Sequence, residues 1–537
     1  MHKPPRPLSA PNTPVSAPNT DEGGSVAAFQ NFTRRGGFAS KSRGEVLVGV
    51  SAMAFAMACG GASPYAADDS ARPGTTLNVS PQLVELEPGD RVQFTANLTR
   101  ITGEVLDRPS GAFKWSATGG TINQDGLFVA GSKAGQFEVV AKKVQITGKA
   151  TIKIVTSSSS DPDPTSSPPE GIKIPVGASI QAAVDANPAG TQFVIAAGRH
   201  LRQAVVPKDG NVFYGETGAI LDGGGVVERA FTGSASNVTV RDLVIERYAP
   251  PPSDGVIDAK NATGWRVEGT EIRYNVASVQ HAGCETSSGC GGMGIKAGDK
   301  MVVRNNYLHH NDQYGIGGSG VGIMVEGNEI AFNNYRDAVR NGFGAGATKF
   351  VNTSGLVFRG NYSHDNRGSG FWTDIDNVNV LVEGNRIENN KGPGIFHEIS
   401  HSAVIRNNTV RGNGFEANWL YAAGITIAHS DNVEVYGNTV EGNAGGIAGI
   451  QQNRDGHYLV NLWVHDNKVS LAQGGNGVAV GDDATFDPFT NQANNRFDRN
   501  EYKVAAAADP AFRWSGKADW RQWQASGQDP SGSYVRQ

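Results

Sequence analysis

The sequence predicts an all-β chain, a right-handed parallel β-helix over residues 172–504 preceded by a small β-sandwich over 77–155. Three observations carry this. An Asn recurs at a nearly regular interval through the later part of the chain, 70 of the 537 residues are Gly, and the stretch before the recurrence holds short alternating strands between turn residues. Gly at nearly twice the usual ~7 % marks a fold that turns often. Each Gly weakens a helix interior by ~1 kcal/mol, which excludes a mostly helical protein. They follow no Gly-X-Y period, which excludes collagen.

The 47 Lys+Arg against 52 Asp+Glu give a formal charge of −5, without the basic stripe expected of a nucleic-acid binder. Residues 1–58 read as an export segment. Arg34, Arg35, Lys41 and Arg43 precede the apolar run from Val46 to Ala58, which is too short to span a bilayer and has the length of a signal-peptide core. Its end, Ala56-Met57-Ala58-Cys59-Gly60, resembles a bacterial lipoprotein signal, with Ala56 where Leu is usual. Thr33-Arg34-Arg35-Gly36-Gly37-Phe38 is loosely similar to a twin-arginine signal. The resemblance implies a lipid on Cys59, a tether over 59–76 and a protein anchored at the bacterial outer surface. The two remaining Cys, Cys284 and Cys290, lie in one Gly/Ser loop, and a disulfide between them requires an oxidising compartment. Without nearby His or further Cys they make a poor metal site, and no metal is expected.

In the sandwich, the strands are Arg91–Leu98, Ala112–Trp115, Gly135–Ala141 and Ala150–Ile154. Pro88-Gly89-Asp90, Trp115-Ser116-Ala117, Gly126–Ala130 and Gly135 together resemble bacterial Ig-like modules, which implies a spacer or weak adhesion unit. Residues 156–171 form a Ser/Pro/Asp linker. Ser179 is a good N-cap before the apolar positions Ile180, Ala183 and Val184, and this opening resembles the cap that covers the first rung of a parallel β-helix. The tail, 505–537, carries Trp514, Trp520 and Trp523. It is similar to tails of secreted carbohydrate-active β-helix proteins, and its Trp side chains are expected to cover the last rung.

The repeat is read from Asn306, Asn328, Asn361, Asn385, Asn408, Asn438 and Asn467, at steps of 22, 33, 24, 23, 30 and 29. The basic period is 22 to 24 and the longer steps carry loop insertions. Stacked coils share one apolar column, with Asn side chains placed to hydrogen-bond along the turns. No Leu framework of a leucine-rich repeat is present.

Register then locates chemistry. Asp374 lies 13 residues past Asn361, and Glu398 lies 13 past Asn385. Alternation turns Phe371, Thr373 and Ile375 inward and Trp372, Asp374 and Asp376 outward, beside Phe396 and Glu398. Rungs ~4.7–4.9 Å apart put the two carboxylates on the order of 5 Å apart, near the ~5–5.5 Å of retaining glycosidases and below the ~6.5–9.5 Å of inverting ones. Repulsion raises one pKa, leaving one acid as proton donor and the other as nucleophile. Trp372 and Phe396 offer a platform for a sugar ring. The segment resembles secreted β-helix glycoside hydrolases, including the β-helix β-xylosidases, in which a Trp-x-Asp strand precedes an aromatic-x-Glu strand. That resemblance implies Asp374 as nucleophile and Glu398 as general acid/base on a polysaccharide or oligosaccharide. Asp376 stands as an alternative nucleophile or hydroxyl acceptor. The chain departs from the pattern at the preceding rung, where Phe350 falls in register with Asp374.

His397 is assigned to substrate binding or, alternatively, to an interior position with its hydrogen bond satisfied. Insertions place Arg336, Asp337, Arg340, Trp419, Tyr421 and His429 at the rim of a groove, Arg340 and His429 as binding residues. The whole face is also compatible with solvated surface acids. The main rival is a polysaccharide lyase or C5-epimerase on uronic acids, with Lys296, Lys349 or Arg340 as base and calcium as cofactor. Against it, Lys349 counts in register with interior Thr373, and no Asp/Glu cluster resembles a calcium cage. A second rival is a non-catalytic glycan-binding surface protein. The hydrolase reading needs no cofactor, and the chain is expected to be monomeric.

Overall fold

The computed structural model describes residues 75–80, 83–86, 91–100, 113–124, 126–143, 146–154, 170–277, 292–339, 344–454 and 456–537. The export segment with Cys59, most of the linker, Cys284, Cys290 and Arg340 lie outside the described residues. No helix among the described residues is long and apolar enough to cross a membrane.

Residues 75–154 contain two-, four- and three-stranded sheets around their own core. The central hairpin pairs Gly135–Lys143 with Ile146–Ile154. Alternation along it buries Val139, Ala141, Ala150 and Ile152 with Phe128 and Leu98.

From Ile172 the chain winds into a parallel β-helix with sheets of 13, 13 and 12 strands, each rung giving one short strand to each sheet. One rung consists of Val357–Arg359, Tyr362–His364 and Phe371–Thr373. The apolar residues facing inward from all three sheets form one continuous core from Ile174 to Trp523.

The predicted Asn column lies at the turn between the first and second sheets. From Asn306 to Asn500 each side-chain amide donates to the next Asn carbonyl oxygen, at 2.9–3.1 Å. The residue before each Asn is left-handed, for example Gly327, Gly360, Gly384 and Asn407 with φ of 63°, 61°, 64° and 56°. That conformation explains why Gly or Asn precedes the ladder Asn from Asn306 to Asn438, with Asp466 and Arg499 in the same conformation before the last two. A second column, Asn275, Asn311, Asn333, Asn366, Asn390, Asn413 and Asn443, repeats the device one turn on, at 2.9–3.1 Å.

Both ends are closed. Helix Ile180–Ala186, its Ser179 side chain accepting from the Ala182 amide, buries Ile180 and Val184 on the first rung. The tail extends the fold past 504: Ser533–Arg536 pairs with Glu501–Val504, and Trp523 is fully buried in the core. The Asn column ends on Asp529, which accepts from Asn500, Tyr502 and Trp523 at 2.8–2.9 Å.

Candidate active site

The third sheet aligns the two acids. Trp372 pairs with Phe396 and Thr373 with His397, so Asp374 and Glu398 follow in register on adjacent rungs. Phe371 and Ile395 point into the core, while Trp372 and Phe396 belong to a separate outer cluster. Their rings stack at 5.2 Å and 24°. This aromatic pair is not an open sugar platform, because the turn Trp419–Ala422 covers it and Tyr421 meets Phe396 edge-on at 5.7 Å. The Tyr421 hydroxyl donates to Gln452 Oε1 at 2.6 Å. Asp374 is fully buried and Glu398 is 5 % exposed.

The preceding rung differs from the sequence expectation. Phe350 pairs with Thr373 and is interior, packed near Phe371, so it does not stand opposite Asp374. Lys349 is therefore level with Trp372 on the outer face rather than interior. Seven residues lead from Phe350 to Val357 but eight from Thr373 to Leu381, and the shorter turn shifts the register by one, which reverses the face. The Lys349 Nζ lies 2.9 Å from Asp374 Oδ2 and 4.0 Å from the Trp372 ring centre.

The electrostatics separate the two carboxyls. Burial, then the Asp374 charge, push Glu398 up to about 8, although Lys349, Arg454 and the Trp372 indole N–H pull it partly back. Burial works against the Lys349 ammonium, but Asp374, Tyr314 and Glu398 outweigh it, and its pKa rises above the ordinary lysine value. Burial raises the Tyr314 phenol as well, so it stays neutral. The arrangement is a protonated Glu398 beside an Asp374–Lys349 ion pair, with both carboxyls buried.

The turn that follows is unusual. Ile375 and Ile399, on consecutive rungs, take φ of 62° and 45°, which costs a β-branched residue on the order of 1–3 kcal/mol. The strand ends at Thr373, and Asp376, also left-handed, leaves the face of Asp374. Its Oδ1 meets His457 Nε2 at 2.9 Å and His401 Nε2 at 3.6 Å.

His397 is inside the coil, one ring nitrogen bonded to Thr373 Oγ1 and the other to the His401 carbonyl, both at 2.8 Å. Burial holds it neutral, with its pKa lowered to about 4. It does not join the outer face as a substrate-binding residue. His429 is not at a rim: it is fully buried, neither ring nitrogen has a hydrogen-bond partner, and burial, then Arg454 and His457, lower it to about 3. Asp337 is ion-paired to Arg367, and Arg336 reaches Asp312 at 3.9 Å. Sequence reasoning missed His401, on a regular rung, and Gln452, Arg454 and His457, at the long step after Asn438. The one available signal was the 29-residue step after Asn438, whose insertion carries Gln452, Arg454 and His457.

Residues 254–424 match the family described as Right handed beta helix region. A search of curated proteins finds no match. Similar solved structures include the A-module of mannuronan C-5 epimerase AlgE6 from Azotobacter vinelandii, with TM-score 0.45 and 16 % identity over 66 % of this chain and 93 % of that one. They also include XylC bound to xylose, at 0.45 and 10 % over 67 % and 82 %. The catalytic domain of a GH87 alpha-1,3-glucanase with tetrasaccharides gives 0.45 and 12 % over 79 % and 77 %. The family match and the three parallel sheets together identify the long C-terminal part of this chain as a right-handed parallel β-helix.

Proposed function

We propose that this protein is a carbohydrate-active enzyme, a retaining glycoside hydrolase with Asp374 as nucleophile and Glu398 as general acid/base. The observation that carries the reading is the split between two neighbouring buried acids, one ion-paired to Lys349 and the other protonated at neutral pH. Retaining hydrolysis needs that division. Asp374 attacks the anomeric carbon while Glu398 gives its proton to the leaving oxygen. The resulting glycosyl ester removes the Asp374 charge, which lowers the Glu398 pKa and readies it as a base. Glu398 then takes a proton from water, the water oxygen bonds to the anomeric carbon, and Asp374 leaves as carboxylate. Asp374 is closed off in the state described, so sugar entry displaces part of its cover, and Trp419–Ala422 is the described segment over this face.

Lys349 on the outer face favours a second reading, a lyase or C5-epimerase on uronic acids. Its raised pKa disfavours it as the base that such chemistry needs. A polysaccharide and aryl-glycoside panel with wild type, Asp374→Asn and Glu398→Gln separates the two. The hydrolase releases reducing ends that both variants lose; an unsaturated ultraviolet-absorbing product, retained in the Glu398→Gln variant, overturns it. We further propose export, lipid attachment at Cys59 and a spacer role for residues 75–154, as the Ig-like resemblance implies. Labelled fatty acid incorporated by wild type and not by Cys59→Ala tests the anchor.

A further inference from the structure

Three side chains from separate parts of the chain meet at the turn that follows Asp374. Asp376 comes from the left-handed turn after Asp374, His401 from the next rung, and His457 from a loop 81 residues beyond Asp376. Their ligand atoms all lie within 4.8 Å of one another, and among the described residues this is the one such convergence of three His, Cys, Asp or Glu. From Asp376 Oδ1 the two imidazole Nε2 atoms are at 2.9 and 3.6 Å. Metal–ligand bonds of ~2.0–2.1 Å in a tetrahedron give ligand–ligand edges of about 3.3 Å, a value those distances bracket.

The fourth residue explains the orientation. Asp431 Oδ2 lies 2.8 Å from His401 Nδ1, a carboxylate–imidazole contact that places the proton on Nδ1 and turns the Nε2 lone pair outward. That lone pair faces the acceptor oxygen of Asp376. A contact of this kind is satisfied either by a proton on Nε2 or by a metal cation between the two atoms. With both imidazoles unprotonated, as ligation requires, the two carboxylates supply two negative charges for a divalent ion. The Asp376 side chain is 52 % exposed, which leaves an open position for water.

We infer that Asp376, His401 and His457 bind a divalent transition metal of the zinc class, with Asp431 as the residue that orients His401. An N₂O donor set suits such ions and not calcium, which takes six or more oxygens. The ion ties the loop bearing Arg454 and His457 to the rungs that carry Asp374 and Glu398. The inference does not rest on the hydrolase reading.

The test uses the full chain without an affinity tag, stripped with chelator and titrated with Zn²⁺ by calorimetry and with Co²⁺ by its visible absorption. The expected result is one ion per chain and a higher Tm with metal than without. Binding is lost in His457→Gln and His401→Ala, and weakened about 10–100-fold in Asp431→Asn. Asp376→Asn, at a half-exposed position, guards against loss by misfolding, and the metal-free Tm of each variant is compared with that of wild type. No stoichiometric uptake by wild type, or uptake unchanged in His457→Gln, overturns the inference and leaves the cluster a hydrogen-bonded ion pair.

Discussion

Glu398 holds its proton because burial and the Asp374 charge act in the same direction. Its folded pKa of about 8 is above the ordinary 4.5. Across that window the folded state keeps a proton that the unfolded state has released, so stability falls as pH rises from the lower value through the higher. Glu398→Gln keeps the shape without the titration. It is expected to lose activity by about 10²–10⁴-fold and to raise Tm relative to wild type more at pH 9 than at pH 5. A Tm difference independent of pH, measured by calorimetry, contradicts this account. The activity of wild type is expected to decline through pH 8 as the acid loses its proton, and a Lys349→Met change, by removing a charge that lowers the Glu398 pKa, moves that limb upward.

Within the elements, side-chain ladders do what separate packing contacts do in other folds. The Asn385 side chain accepts from the Asn361 backbone amide and side chain and donates to the Phe358 carbonyl. Asn385→Ala leaves these buried groups unpaired at ~1–3 kcal/mol each, and a fall in Tm on the order of 10 °C is expected. A second repeated device is aromatic-x-His: Tyr307 and Tyr362 stack on His309 and His364, and Trp463 lies tilted over His465, with ring centres 3.9–4.0 Å apart. Each His meets a Glu of the preceding rung at 3.0–3.1 Å. For His364, burial opposes the charge, but Asp365 and Glu329 raise its pKa to about 9. Its contribution is complete below the unfolded value of 6.5 and is lost as pH rises through 9. His364→Gln is therefore expected to lower Tm clearly at pH 6 and little at pH 10.

At the scale of the whole β-helix, the open ends are the hazard, because a bare rung offers three unpaired strand edges. The C-terminal tail closes one end with Trp523 in the core and Ser533–Arg536 on the second sheet. Removal of residues 505–537 is expected to produce concentration-dependent oligomers larger than those of the full chain, read by light scattering after size exclusion. Trp523→Ala, which removes about 3–5 kcal/mol of packing, should lower Tm without changing the oligomeric state.

The repeat was legible because its signals are local and additive. Left-handed turns select Gly or Asn, ladder positions select Asn, and interior positions alternate, so spacing alone located the coils and set Asp374 level with Glu398. The failures arose where one residue or one long loop decided the outcome. A turn shorter by one residue moved Lys349 from the core to the side of Asp374, and two left-handed residues carried Asp376 away from the face of Asp374. His401 and His457 reach Asp376 from different rungs, and a loop insertion sets no register that spacing can read. The β-helix and the adjacency of the two acids follow from period and alternation alone and are therefore written in the chain. What surrounds them is fixed in three dimensions, because the partners Lys349, Arg454, Tyr421 and the His pair are set by turn length and loop return, and these depend on packing across rungs.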